Sequence, residues 1–323
     1  MYNPEVSHYP WLMINFASIA YDAPDQITNV IKNKTNNVWN VRWGPVALYS
    51  GLGVIYSLMY AAVERVTGSY AVIIRGTTMD SLEAWCDEDF RIKQQLPYNA
   101  FDPQAPGDAL IARGTHDGLK DLLSMQDQKR GGISLLDFLL NVRPPKVYVA
   151  GHSLGGTLTG PMALLLQSRL QAVQPSTVVQ PYSYAGLTPG NQAFASYFDA
   201  RFNTAGAWRF HNTLDIAPYL WNNKQAVFDI YNPWGVGIPS AILDGLNYLT
   251  EGAPPYAQLN GNGYPLPGKW ETLDIFTWER EAAHQHASTT YIKLVGDNAM
   301  PDPQPEGSWA RQMWNANLQD EDC

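Results

Sequence analysis

Charge is scarce in this chain and cysteine scarcer still. Of the 323 residues only 16% are Asp, Glu, Lys or Arg, and the net charge is −9 at pH 7. That balance argues against a nucleic acid or an anionic membrane held by charge. The two cysteines, Cys86 and Cys323, cannot build a disulfide framework. The one close histidine pair, His284 and His286, stands without the further ligands that a zinc site needs, so no metal is expected. No run of 18 apolar residues exists, so no transmembrane segment is expected. The opening residues, MYNPEVSHYPWLMINFASIAYDAP, lack a basic region followed by an uninterrupted apolar stretch, and no secretory signal is expected there.

Aromatic residues, by contrast, are plentiful: 11 Trp, 18 Tyr and 10 Phe. Most of them serve core packing, but such amphipathic area also suits greasy or ring-bearing substrates. With 45% hydrophobic residues the chain can bury a sizeable core, and no repeat or low-complexity linker divides it. Residues 1–323 therefore read as one domain.

Residues 11–32 look helical with a break at Pro24, burying Ile14, Ile19, Ile27, Val30 and Ile31. GVIYSLMYAAVERV and SYAVIIRGTT bracket Thr67 and Gly68, which predicts two antiparallel strands joined by a tight turn. Residues 79–114 have no steady period and read as loops and short helices. SLLDFLLNV predicts a helix, TVVQPYSYAG a strand, NQAFASYFDARF a helix and AWRFHN another strand. Strands alternating with helices after residue 130 predict an α/β fold, a central, mostly parallel mixed sheet with helices on both faces. From Tyr219 to Glu281 regularity fades, apart from the helix-like IPSAILDGLNYLTE, into a segment that either roofs a pocket or elaborates the surface.

The most informative stretch is VYVAGHSLGGTLTG, from Val147 to Gly160. A G-x-S-x-G string arises by chance in about one chain in ten of this length. Its setting is more selective. Val147–Ala150 form a short run of β-formers, and Leu158, Met162, Leu165 and Leu166 follow at helical spacing. A strand, a sharp turn holding Ser153 and a helix make a nucleophile elbow, in which Gly151 and Gly155 let the two backbones pass closely.

A serine hydroxyl needs a histidine to take its proton and a carboxylate to orient that histidine, in the chain order Ser, acid, His for this kind of elbow. Downstream lie only His211, His284 and His286. His211 precedes the best acid candidate, which leaves His284 or His286 as the base. Asp215 in RFHNTLDIAP follows a β-like run and precedes Pro218, as an acid loop should, while Asp229, Asp244 and Asp274 lie in the irregular segment. An oxyanion hole needs two aimed N–H groups. One is expected from Leu154, and the other from Gly76, Thr77 or Thr78 at the end of AVIIRGTT, with Thr77 able to add its hydroxyl.

Taken together, these segments resemble the class 3 lipases, the fungal-type family that also has bacterial and plant members. AVIIRGTT resembles the family's oxyanion strand, and Trp85 with Asp87 resembles the pair that follows it. THDGL, with His116 and Gly118, is similar to its histidine-glycine motif, and VYVAGHSLGG to its nucleophile segment. YSYAGLTPGNQAF, with Gly190 and Asn191, RFHNTLDIAP and QHASTTYI are similar to the next strand, the acid loop and the histidine segment. The seven landmarks run in order from about Ser69 to Leu294. The resemblance implies an α/β-hydrolase fold, with Ser153 as nucleophile, Asp215 as acid, His286 as base, and Thr77 and Leu154 as oxyanion donors. His286 is preferred because it stands five residues before Tyr291, as the matching histidine does in many relatives.

The implied activity is hydrolysis of lipid esters, triacylglycerols first, through an acyl-enzyme that needs no cofactor. Phospholipase A1 and feruloyl-type esterase activity are the alternatives, and a catalytically inactive binding protein is the rival from another class. The segment between Trp85 and His116 is longer than in the compact fungal enzymes, and their disulfides are absent. Within residues 79–112, Met79, Leu82, Trp85 and Phe90 are interleaved with Asp80, Glu83, Asp87, Glu88 and Asp89. That pattern predicts an amphipathic cover that responds to a lipid–water interface.

Overall fold

The computed structural model describes residues 8–76, 91–260, 263–271 and 278–298. Thr77 and the stretch through Phe90 lie outside these, and so do Asp274, Cys86 and Cys323. The expected cover is described only from Arg91 onward.

The chain begins with helices α1 (His8–Ile19) and α2 (Pro24–Lys34), and Pro24 opens the second, where its missing N–H costs nothing. Three strands follow, β1 (Trp39–Tyr49), β2 (Ile55–Glu64) and β3 (Tyr70–Ile74). Residues 91–112 carry a small antiparallel pair, β4 (Gln95–Pro97) and β5 (Leu110–Ala112), where loops and short helices were expected. Ala109 and Ile111 are buried against the core, and this anchoring holds the pair in place.

Helix α3 (Arg113–Ser124), the short pair β6 (Gln126–Asp127) and β7 (Ile133–Ser134), and α4 (Leu135–Val142) lead into β8 (Lys146–His152). The Ser134 hydroxyl caps α4 by accepting from the Asp137 N–H. After β8 come α5 (Leu154–Gln171), β9 (Val178–Tyr184), α6 (Gln192–Gly206) and β10 (Trp208–Asn212). Then follow α7 (Lys224–Asp229), α8 (Ser240–Thr250), β11 (Tyr264–Leu266), α9 (Trp278–His286) and α10 (Ser288–Asn298).

Seven strands form one sheet in the order β1-β2-β3-β8-β9-β10-β11. β1, β2 and β3 are antiparallel neighbours, and every pairing from β3 to β11 is parallel. The sheet is mixed and mostly parallel, as expected.

Side chains alternate across it. Val72, Ile74, Val147 and Val149 meet α3, α4, α5 and α6 on one face, whereas Ala71, Ile73, Tyr148 and Ala150 meet α1, α2 and α10 on the other. Burial on both faces explains why the central strands read as continuous apolar runs. A third apolar cluster joins Leu214, Ile216 and Leu220 to Tyr231, Leu246 and Trp278. Tyr231, Leu246 and Trp278 thus pack around the loop that carries Asp215, and the Tyr231 hydroxyl donates to the Leu214 carbonyl at 2.9 Å.

Candidate active site

β8 ends at His152 and α5 begins at Leu154, so Ser153 is the whole of the turn between them. Its backbone lies at φ 60°, ψ −126°, a region that costs a residue with a side chain about 1–3 kcal/mol. Two features hold it there. The Ser153 N–H donates to the Tyr184 carbonyl of β9 at 3.0 Å, and the Thr157 N–H returns to the Ser153 carbonyl at 3.0 Å. The turn is this sharp because strand and helix touch: a Cβ on Gly151 would run into the backbone of Gly155, and one on Gly155 into the Ile74 carbonyl. Ser153 is 2% exposed. The unpaired N–H groups of the first turn of α5, Leu154 first among them, cluster beside it with the positive end of the helix dipole.

The end of β3 closes over the same point. A Cβ on Gly76 would strike the Tyr21 hydroxyl and the His152 carbonyl and come to 3.1 Å from the Ser153 Cβ. Thr77 follows directly in the chain.

Asp215 sits just past the end of β10 and is fully buried. A buried carboxylate must be satisfied by donors, and this one has three. The Ala217 N–H donates to Oδ1 at 2.9 Å, the Tyr291 hydroxyl donates to Oδ2 at 2.7 Å, and His286 Nδ1 lies 2.9 Å from Oδ2 and 3.1 Å from Oδ1. With Nδ1–H donating to a carboxylate, the His286 ring is held in the tautomer that carries its proton on Nδ1.

His286 is 7% exposed, and its ring centroid lies 4.8 Å from that of His152, the residue before the serine. The structure thus brings His286 to Asp215 and to the elbow. His284 goes elsewhere: it is partly exposed, with Nε2 3.6 Å from Glu271 Oε1. His211 is buried in β10, where burial and then the Arg209 charge push its imidazole down to about 4.

Several residues that sequence reasoning passed over hold this arrangement. His152 Nε2 donates to the His286 carbonyl at 2.8 Å, which fixes the tautomer, so Nδ1 accepts from the Tyr21 hydroxyl at 3.1 Å. Burial, helped by the nearby His286, keeps this imidazole well below its usual range and therefore neutral. Asn212 donates to both the Gln285 carbonyl and Oε1, at 2.8 and 2.6 Å, and its own N–H donates to the Tyr291 hydroxyl at 2.9 Å. Gln285 in turn donates to Glu281 and to the Lys269 carbonyl. The acid loop and the histidine helix are stitched together at the residue before His286. Only Tyr291 left a trace in the sequence, as the marker that told the two histidines apart.

Tyr291→Phe removes a donor to Asp215 and strands the Asn212 N–H. It is expected to cost about 1–3 kcal/mol of stability and to lower kcat more than it changes KM, read by urea unfolding and by steady-state hydrolysis of a soluble ester. Parent-like stability and kcat would make the hydroxyl a bystander.

The sequence model of the family described as lipase (class 3) matches residues 71–224. Among solved structures, M37 lipase is 25% identical, with 93% of this chain and 96% of that one covered at a TM-score of 0.77. Lip2 lipase from Yarrowia lipolytica is 20% identical over 68% of this chain and 75% of that one, at a TM-score of 0.48. A lipase from Rhizopus microsporus var. chinensis is 18% identical over 68% and 71%, also at 0.48. No curated protein matches the chain by sequence. The family match spans β3, the turn at Ser153 and the loop of Asp215, and the M37 likeness covers nearly the whole chain: the chain is similar to the class 3 lipases and has an α/β-hydrolase fold.

Proposed function

We propose that this chain is a one-domain serine hydrolase of lipid esters, with triacylglycerols as preferred substrates. The observation that carries this reading is the buried His286–Asp215 pair lying against the strained elbow at Ser153, inside a class 3 lipase framework. His286 Nε2 takes the hydroxyl proton as Ser153 Oγ bonds to the ester carbonyl carbon. Asp215 steadies the imidazolium that forms. The Leu154 N–H, and the N–H and hydroxyl of Thr77, hold the negative oxygen of the tetrahedral intermediate. His286 returns its proton to the departing alkoxide, leaving an acyl-Ser153 ester. Water, deprotonated by the same imidazole, attacks that ester, releasing the fatty acid and restoring Ser153. The chemistry calls for no metal or organic cofactor.

The test is a panel of tributyrin, triolein, phosphatidylcholine and methyl ferulate, each compared by initial rate per enzyme. Tributyrin and triolein are expected to be turned over at least tenfold faster than the others. A larger rate on phosphatidylcholine or methyl ferulate would replace the triacylglycerol assignment, and no turnover of any ester would make the chain a binding protein.

A further inference from the structure

The hairpin joining β1 to β2 carries a cluster of bare apolar side chains. Tyr49 is 56% exposed, Leu52 93%, Val54 56% and Tyr56 42%. These are four of the ten large apolar side chains that stand exposed among the described residues, packed into eight positions. Scattered apolar surface needs no explanation, but a cluster does.

Its place in the fold gives the cluster a direction. Met59 of β2 pairs with Ile74 at the end of β3, and Ile74 pairs with Gly151 of β8, two residues before Ser153. β2 continues past that level to Ile55, four residues on, and the turn lies beyond it. At about 3.3 Å per residue the hairpin projects roughly 13 Å past the end of β3, on the sheet edge where Ser153 lies and two strand positions to the side. Val66, 83% exposed in the β2–β3 turn, marks the opposite edge.

We propose that this hairpin tip inserts into the uncharged surface of a lipid-ester droplet and holds the Ser153 edge of the sheet against it. The inference rests on the lipid-ester reading of the site. Charge supports the choice of surface. Between Arg42 and Glu64 there is no charged residue at all, in a chain of net charge −9 that an anionic surface would repel. The tip is also prepared for an apolar medium, where an unpaired N–H is costly. Ser50 Oγ accepts from the N–H groups of Leu52 and Val54, Ser50 N–H donates to the Val54 carbonyl, and Gly53 N–H donates to the Ser50 carbonyl. Tyr49 and Tyr56 flank the aliphatic pair, and their amphipathic rings suit the boundary between water and lipid. Burying Leu52 and Val54 in the droplet strengthens association on the order of tenfold or more for each.

The experiment pairs Leu52→Asp/Val54→Asp with the milder Leu52→Ser and with Val66→Asp, an equally exposed apolar site on the far edge. Flotation with triolein droplets is measured in the turnover-silent Ser153→Ala background. The ratio of rates on emulsified tributyrin and dissolved p-nitrophenyl acetate is measured in the active enzyme. The double aspartate is expected to reduce both flotation and rate ratio at least tenfold, Leu52→Ser to fall between it and the parent, and Val66→Asp to match the parent. Parent-like flotation of the double variant overturns the proposal. So does an equal loss in Val66→Asp, which would make the effect one of charge alone. A change from dimer to monomer in sedimentation with droplet binding unaltered also overturns it, since the occupant of the tip would then be a second copy of the chain. If the parent hydrolyses no ester, the enzymatic reading fails while flotation still decides the role of the hairpin.

Discussion

Ser153→Ala is expected to yield a folded protein whose kcat on a soluble chromogenic ester has fallen by about 10⁴- to 10⁶-fold, the scale seen when the nucleophile of a serine triad is removed. Only the oxygen is lost. The Cβ remains, and alanine must occupy the same left-handed backbone as the serine it replaces, so thermal stability is expected to stay close to that of the parent. The two readouts separate chemistry from folding. A well-folded alanine variant that turns over within tenfold of the parent would remove Ser153 from the mechanism, and the elbow would then be a packing device alone.

The second large effect distinguishes two histidines one residue apart. His286→Ala is expected to lower kcat at least 10³-fold, because no other imidazole reaches Asp215 in the described structure and the serine loses its proton acceptor. It also leaves the buried Asp215 with the Ala217 N–H and the Tyr291 hydroxyl as its donors, so a loss of about 1–3 kcal/mol in stability should accompany it. His284→Ala removes a partly exposed group whose near neighbour is Glu271, and a change of less than about threefold is expected, since exposed pairs contribute little. Steady-state kinetics on both variants, with urea unfolding as the control, reads the result. If the His284 variant is the crippled one, the base has been misassigned.

What the sequence reveals and what it hides follow from the reach of its signals. The elbow is legible because a run buried on both faces, two obligatory close contacts and a helical stripe fall within twenty residues. β2 and β3 are legible for a similar reason, as neighbours joined by a tight turn. β1 is not legible because Gly44 and Pro45 interrupt its alternation, and register shifts between Val41 and Trp43 and between Trp43 and Val46 break the period of two that marks a strand. β11, three residues at the sheet edge, is too short to carry a period. His286 closes a largely polar helix, WEREAAHQH, whose inward face is marked only by Trp278 and Ala282 at i−8 and i−4, too thin a stripe to fix which histidine meets Asp215. That is decided by Asn212, Gln285 and Tyr291, contacts separated from one another by more than seventy positions in two of the three pairings. Local patterns report the strand and the turn, whereas long-range hydrogen bonds choose the side chain.

Tyr21 lends its hydroxyl to His152 across 131 positions of sequence. It stands fifty residues ahead of the point where the family match begins at residue 71. The span that the family model matches is therefore smaller than the body that packs around the elbow. Helices α1 and α2 supply most of the packing on one face of the sheet, and the first of them leads straight into a contact with the elbow. For anyone grafting, trimming or shuffling such hydrolases, the piece to move starts well before the motif, and substitutions near residue 20 belong in the same search space as those around the nucleophile.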